Sequence, residues 1–120
     1  MVIRDENFDW RSRCPISSAL DVLGDKWSLI IIRDLIIYGP RTYSQLLESP
    51  ERISTNILAS RLDSLMCLRL IERENANASS RNNAYKLTEA GAALRPVIEG
   101  LGKWADTHLS DFHATIIKMQ

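Results

Sequence analysis

The sequence predicts a mainly helical fold with a small β-hairpin wing, a winged helix-turn-helix, on three observations. In residues 41–68 two short helix patterns, each with its own start signal, flank a tight polar turn. Two strand-like runs, 70–74 and 84–88, come directly after them and are joined by a loop rich in Asn, Ser and Ala. A helical segment with a broad apolar stripe then follows, interrupted by Pro96.

The elements follow in order along the chain. Cys14-Pro15 opens a first helix, since proline is tolerated at the first helical position, and Ile16, Ala19, Leu20 and Leu23 give it an apolar stripe up to Gly24. Asp25 caps a second helix expected from Lys26 to Tyr38, stopped by Gly39-Pro40. Its apolar residues surround almost the whole circumference, which predicts a central core helix buried on most sides. Thr42 and Gln45 form a capping box for the third helix. Ser54 caps the fourth, with Ile53 outside it placed to staple onto Leu58. Leu58, Leu62 and Leu65 recur at helical spacing, which turns Thr55, Asn56, Ala59 and Ser60 to the opposite surface. Thr88 caps a segment that Pro96 must kink or break. From Pro96 the helix resumes, and Leu94, Val97, Leu101, Trp104 and His108 form a stripe that needs a partner surface.

Length and composition narrow the function. At 120 residues the chain is expected to form one domain, with a helix-turn-helix at 42–66 and a wing at 70–88. Its longest apolar run is Leu29-Ile30-Ile31-Ile32, far short of the ~20 residues a membrane span needs. The acidic residues near Met1 do not fit a secretory signal, so a cytoplasmic location is expected. No nucleophile–base–orienter set, glycine-rich phosphate loop or metal-ligand spacing is present, and neither an enzyme nor a bound cofactor or metal is expected. Fifteen basic residues balance fifteen acidic ones. Residues 41–86 carry seven basic against five acidic residues, so phosphate binding by a single copy should be modest.

A small polar face at the start of the second helix of a helix-turn-helix suits a major groove. Asn56 is the residue most suited to read a base, since its amide can pair bidentately with adenine. The candidate contacts to double-stranded DNA are Arg41, Thr42, Ser54, Thr55, Asn56, Ala59, Ser60, Arg61 and Arg81, the arginines serving phosphates. Against this stands a winged-helix module that binds protein rather than specific DNA, a reading the neutral net charge favours and the polar face opposes. Cys14 sits at a helix N-terminus beside Arg11 and Arg13, which favour a thiolate and a redox-sensing role. The other reading is an inert structural thiol, as expected for Cys67.

The pattern resembles the HxlR-type winged helix-turn-helix regulators of bacteria, relatives of the MarR group. The resemblance runs over about residues 14–108. It is carried by Cys14-Pro15-Ile16, Gly24-Asp25-Lys26-Trp27, Ile32-Arg33-Asp34-Leu35, Arg41-Thr42-Tyr43, the run from Ile53 to Leu62, Tyr85 to Gly91, and Leu94-Arg95-Pro96-Val97. It implies a DNA-binding transcriptional regulator, expected to be a repressor, that binds an inverted repeat as a homodimer. It also implies response to a thiol-reactive signal or small-molecule effector. The implied dimer joins through helices at 15–23 and 89–112, with Leu20, Leu94, Val97, Leu101, Trp104 and His108 at its interface. Trp27 and Trp104 are core or dimer anchors, or line a ligand cavity. Two departures from the family pattern carry expectations. Met66-Cys67-Leu68-Arg69 stands where the family usually has a glycine, so either the helix ends differently or Arg69 takes a less comfortable backbone conformation. The loop around Arg81 lacks the usual prolines, so a more mobile wing is expected.

Overall fold

The computed structural model describes residues 8–75 and 83–119. Among them the order is α1 (Pro15–Leu23), α2 (Ser28–Tyr38), α3 (Tyr43–Leu46), α4 (Thr55–Cys67), β1 (Ile71–Arg73), β2 (Tyr85–Leu87), α5 (Glu89–Ala92) and α6 (Arg95–His108). This is the mainly helical winged arrangement that the sequence predicts.

Local chemistry sets most element boundaries. The Asp25 carboxylate accepts the Trp27 and Ser28 backbone N–H groups, both at 2.9 Å, and the Ser28 hydroxyl at 2.6 Å. Asp25 therefore does the capping, but α2 starts at Ser28 and not at Lys26, because Asp25 reaches the helix from two residues outside. At the other end Gly39 takes φ 76°, a left-handed conformation open to glycine, and Pro40 prevents continuation. Thr42 and Gln45 form the expected capping box at the start of α3. Ser54 Oγ accepts the Ile57 N–H, and Thr88 Oγ1 accepts the Gly91 N–H. Pro96 lies in the first turn of α6, separated from the one-turn α5 by Ala93 and Leu94.

Burial centres on α2 and α4. Ile31, Ile32 and Leu35 meet Leu46, Ile53, Leu58, Leu62 and Leu65, with Ile71 and Tyr85 of the hairpin closing the cluster. Each fully buried side chain of this kind contributes roughly 1.5–3 kcal/mol of transfer free energy. The burial expected on most sides of α2 holds for Ser28, Ile31, Ile32, Asp34 and Leu35 and stops at its C-terminal end, where Ile37 and Tyr38 are exposed. That last turn projects past the core toward Gly39.

The strands are shorter than the sequence pattern suggests, three residues each in place of 70–74 and 84–88. They pair antiparallel with Ile71 opposite Leu87, Glu72 opposite Lys86 and Arg73 opposite Tyr85. Tyr85 is shared further: its N–H donates to the Arg41 carbonyl at 2.7 Å, and the Arg41 N–H donates back at 3.0 Å. Backbone at the start of β2 is thus tied to the entrance of α3. At the foot of the wing the Asn83 side-chain amide donates to the Asn75 carbonyl, and its oxygen accepts the Asn75 N–H. The loop 76–82, including the expected mobility of the wing tip, lies outside the described residues.

The terminal helix departs from the expected span 89–112. It ends at His108, and the chain turns back so that the Met119 N–H reaches Asp106 Oδ2 at 2.8 Å.

Candidate nucleic-acid interface

The candidate recognition surface is the outer side of a helix whose inner side is core. Leu58, Leu62 and Leu65 are buried, and Thr55, Asn56, Ala59 and Ser60 are exposed. Spacings of three and four residues put the leucines in one row facing α2 and leave the small polar residues clear of neighbours. Tyr43 of α3 donates its hydroxyl proton to the Thr55 carbonyl at 2.8 Å, which couples the two helices at the end that carries the polar face.

The turn before α4 is clamped from α2. The Arg33 guanidinium meets Glu51 through two parallel contacts of 2.6 and 2.9 Å, and donates to Ser49 Oγ at 3.1 Å. Its other edge donates to Asp34 Oδ1 at 3.0 and 2.8 Å. The Arg33 hydrogen bonds outweigh the upward push of burial and bring the Glu51 pKa down to about 2. Glu51 in turn raises the Arg33 pKa, against the downward push of burial. Next to the clamp, Arg52 takes φ 61°.

The C-terminal end of α4 shows how the chain manages without the usual glycine. The Leu70 N–H returns to the Leu65 carbonyl and the Arg69 N–H to the Met66 carbonyl, both at 3.0 Å, which is a Schellman closure. Arg69 stands where glycine is usual and takes φ 60°. Gly91 then packs so near that a Cβ there would collide with the Leu70 carbonyl oxygen, which seats α5 against the foot of the wing.

The candidate arginines have different surroundings. Arg41 lies over the Tyr38 ring, 3.9 Å from its centroid, and donates to the Gln45 carbonyl at 3.1 Å. Arg61 donates from Nε to Asp25 Oδ2 at 3.0 Å, so it ties α4 to the start of α2. Burial pushes the Asp25 pKa up, but Ser28, Trp27 and Arg61 outweigh it and leave the pKa below the usual value. Arg81 lies outside the described residues. Thr42 and Ser54 are both engaged as caps.

Away from this face, Cys14 is an exposed free thiol at the start of α1, and Cys67 is free and half-buried. Arg11 is turned from Cys14 toward Asp21, to which both its Nε and its backbone N–H donate. Ile16 (73% exposed), Leu20 (55%), Val97 (50%), Leu101 (53%) and Trp104 (56%) stand uncovered on α1 and α6. Leu94 instead packs half-buried against the core. His108 is exposed, its ring 5.6 Å from that of Trp104. Trp27 lies half-buried against the core cluster. No helix among the described residues is long and apolar enough to cross a membrane.

The long-range pairs Arg33–Glu51 and Asp25–Arg61 had no signal in the sequence, because partners 18 and 36 residues apart share no local pattern. Arg52 had a weak one, as a bulky residue in a tight turn between two helices.

Residues 22–112 match the model of the HxlR-like helix-turn-helix family. YodB of Bacillus subtilis, an HTH-type transcriptional regulator, is 34% identical over 94 residues, or 78% of this chain and 83% of YodB. The structure of quinone-bound YodB superposes with a TM-score of 0.65 at 35% identity, covering 78% of this chain and 98% of that one. The oxidised form of the redox regulator HypR gives a TM-score of 0.67 at 26% identity, covering 79% and 97%. An HTH-type regulator of Mycobacterium tuberculosis H37Rv is 31% identical over 105 residues, and this chain spans 65% of its length. With the recognition helix, its turn and its wing already described, these matches agree with the geometry: the chain belongs to the HxlR-like helix-turn-helix family and is a DNA-binding transcriptional regulator.

Proposed function

We propose that the protein acts as a homodimeric repressor that sets two α4 helices into successive major grooves of an inverted repeat, in the cytoplasm. The observation that carries this reading is the exposed polar face Thr55, Asn56, Ala59 and Ser60, backed by a fully buried leucine row. Asn56 reads a base through its amide, and Arg41 and the wing contact phosphate. The uncovered apolar residues of α1 and α6 support dimerisation through those helices, since exposed patches of this kind mark association surfaces. A neutral chain gains little from phosphates per copy, so two linked copies supply the affinity. They must hold their recognition helices about 34 Å apart.

A thiol-reactive signal at Cys14 is part of the proposal. Its exposure next to the uncovered face of α1 supports this, as do the quinone-bound and diamide-treated forms in which the relative YodB has been crystallised. Alkylating Cys14 should weaken DNA binding by the wild type and leave Cys14→Ser unaffected.

The test begins with selection of a duplex from a randomised library. Asn56→Ala should lose about 1–3 kcal/mol of discrimination at one base position in each half-site. Leu101→Glu should sediment as a monomer and bind the same duplex far more weakly. A wild type that sediments as a monomer at micromolar concentration, or unchanged specificity in Asn56→Ala, would overturn the reading.

A further inference from the structure

We propose that Arg33 and Glu51 are positioning residues for DNA recognition, holding the turn between α3 and α4 in a strained shape that aims the N-terminal end of α4. This rests on the DNA-binding reading and adds a device that sets the angle of the reading face.

The turn has an internal reason to move. Arg52 takes φ 61°, which a residue with a Cβ adopts only against a steric penalty, and its N–H closes the turn on the Ser49 carbonyl at 3.0 Å. Two residues later Ser54 caps α4, and the two after that are Thr55 and Asn56. Relaxation of φ at Arg52 therefore swings the base-reading residues directly.

What opposes relaxation comes from outside the turn. Glu51 is gripped bidentately by Arg33, and Ser49 Oγ, which also donates to Glu51 Oε1 at 2.7 Å, accepts from the same guanidinium. A planar fork on a carboxylate fixes direction as well as distance. The fork is anchored by Asp34, which is buried, on a helix whose Ile31, Ile32 and Leu35 lie in the core. The turn is thus referenced to the firmest element of the fold.

Charge alone argues against an acid at this place. Glu51 lies four residues before Thr55, where a carboxylate repels phosphate, so its removal should strengthen DNA binding if it had only an electrostatic effect. The positioning role predicts the opposite sign.

The experiment measures wild type, Glu51→Ala, Glu51→Gln and the double variant Glu51→Ala/Arg52→Gly on the library-selected duplex and on a duplex of unrelated sequence. Glu51→Ala should bind the selected duplex about tenfold or more weakly, comparable to one lost base contact, and the unrelated duplex no more weakly than wild type. Glu51→Gln, which keeps one acceptor, should fall between. Arg52→Gly in the Glu51→Ala background should recover several-fold in affinity although it removes a cation, because glycine accepts the left-handed conformation freely. If Glu51→Ala does not fold, binding by Glu51→Gln alone decides between the two signs. Binding by the folded acid variants that is equal to or tighter than wild type, or no recovery in the double variant, overturns the inference. Failure of the wild type to select any duplex would instead count against the DNA-binding reading itself.

Discussion

At the residue scale, two carboxylates, Glu51 and Asp25, are each paired with an arginine from another element. The Glu51 pKa is brought down to about 2 by Arg33, below its ordinary value of 4.5. A carboxylate with a depressed pKa in the folded state contributes stability above its unfolded pKa, and that contribution fades as pH falls between the two values. The melting temperatures of wild type and Glu51→Gln should therefore differ at pH 7 and converge as pH approaches about 2. Asp25 has the same sign through Ser28, Trp27 and Arg61, whose bonds outweigh the effect of burial. These pairings were not legible in the sequence. A cap such as Thr42 with Gln45 repeats a short pattern that chemistry explains locally, whereas Arg33 finds Glu51 only after α2 and the turn have folded against each other.

At the scale of elements, the beginnings of helices were legible and some of their ends were not. Asp25, Thr42, Ser54 and Thr88 all accept the backbone N–H groups expected of them, because capping depends on neighbours in the chain. The end of the last helix is not legible, since the apolar stripe continues to Leu109 without a stop signal, but the helix ends at His108 and the chain turns to bring Met119 to Asp106. The exposure of Ile37 is not legible in the sequence, because an apolar residue at a helix end does not reveal how far the core extends. The end of α4 offers a prediction. Arg69 occupies a left-handed position in an otherwise ordinary Schellman closure, so Arg69→Gly should stabilise the protein by about 1 kcal/mol, measured as a higher urea midpoint at unchanged slope. A lower midpoint would mean that the Arg69 side chain makes contacts worth more than the strain.

At the scale of the whole molecule, the candidate reading face on α4 and the uncovered apolar face on α1 and α6 are separate surfaces of one chain. The part of the candidate DNA-facing set that lies on α4, Thr55, Asn56, Ala59 and Ser60, was legible as one face, because core leucines at helical spacing define the opposite side without any knowledge of the partner helix. Arg61 shows the limit of that reading: its position on the helix is that of a phosphate contact, yet its guanidinium is engaged with Asp25 near the end of α1. One ion pair thus joins α4 to the α1–α2 junction, beside the uncovered face of α1 through which the proposed dimer forms.

The two hydrogen bonds between Arg41 and Tyr85 have a consequence for what a signal can alter. They lock the wing to the doorway of the helix-turn-helix, so a single copy is a stiff stencil. In the proposed dimer, an effector acting at the uncovered helices would slide or turn one stencil against the other without redrawing either. Duplexes selected with and without such an effector should keep the same letters in each half-site and differ in the number of base pairs between them; altered letters at fixed separation would show that the stencil itself deforms.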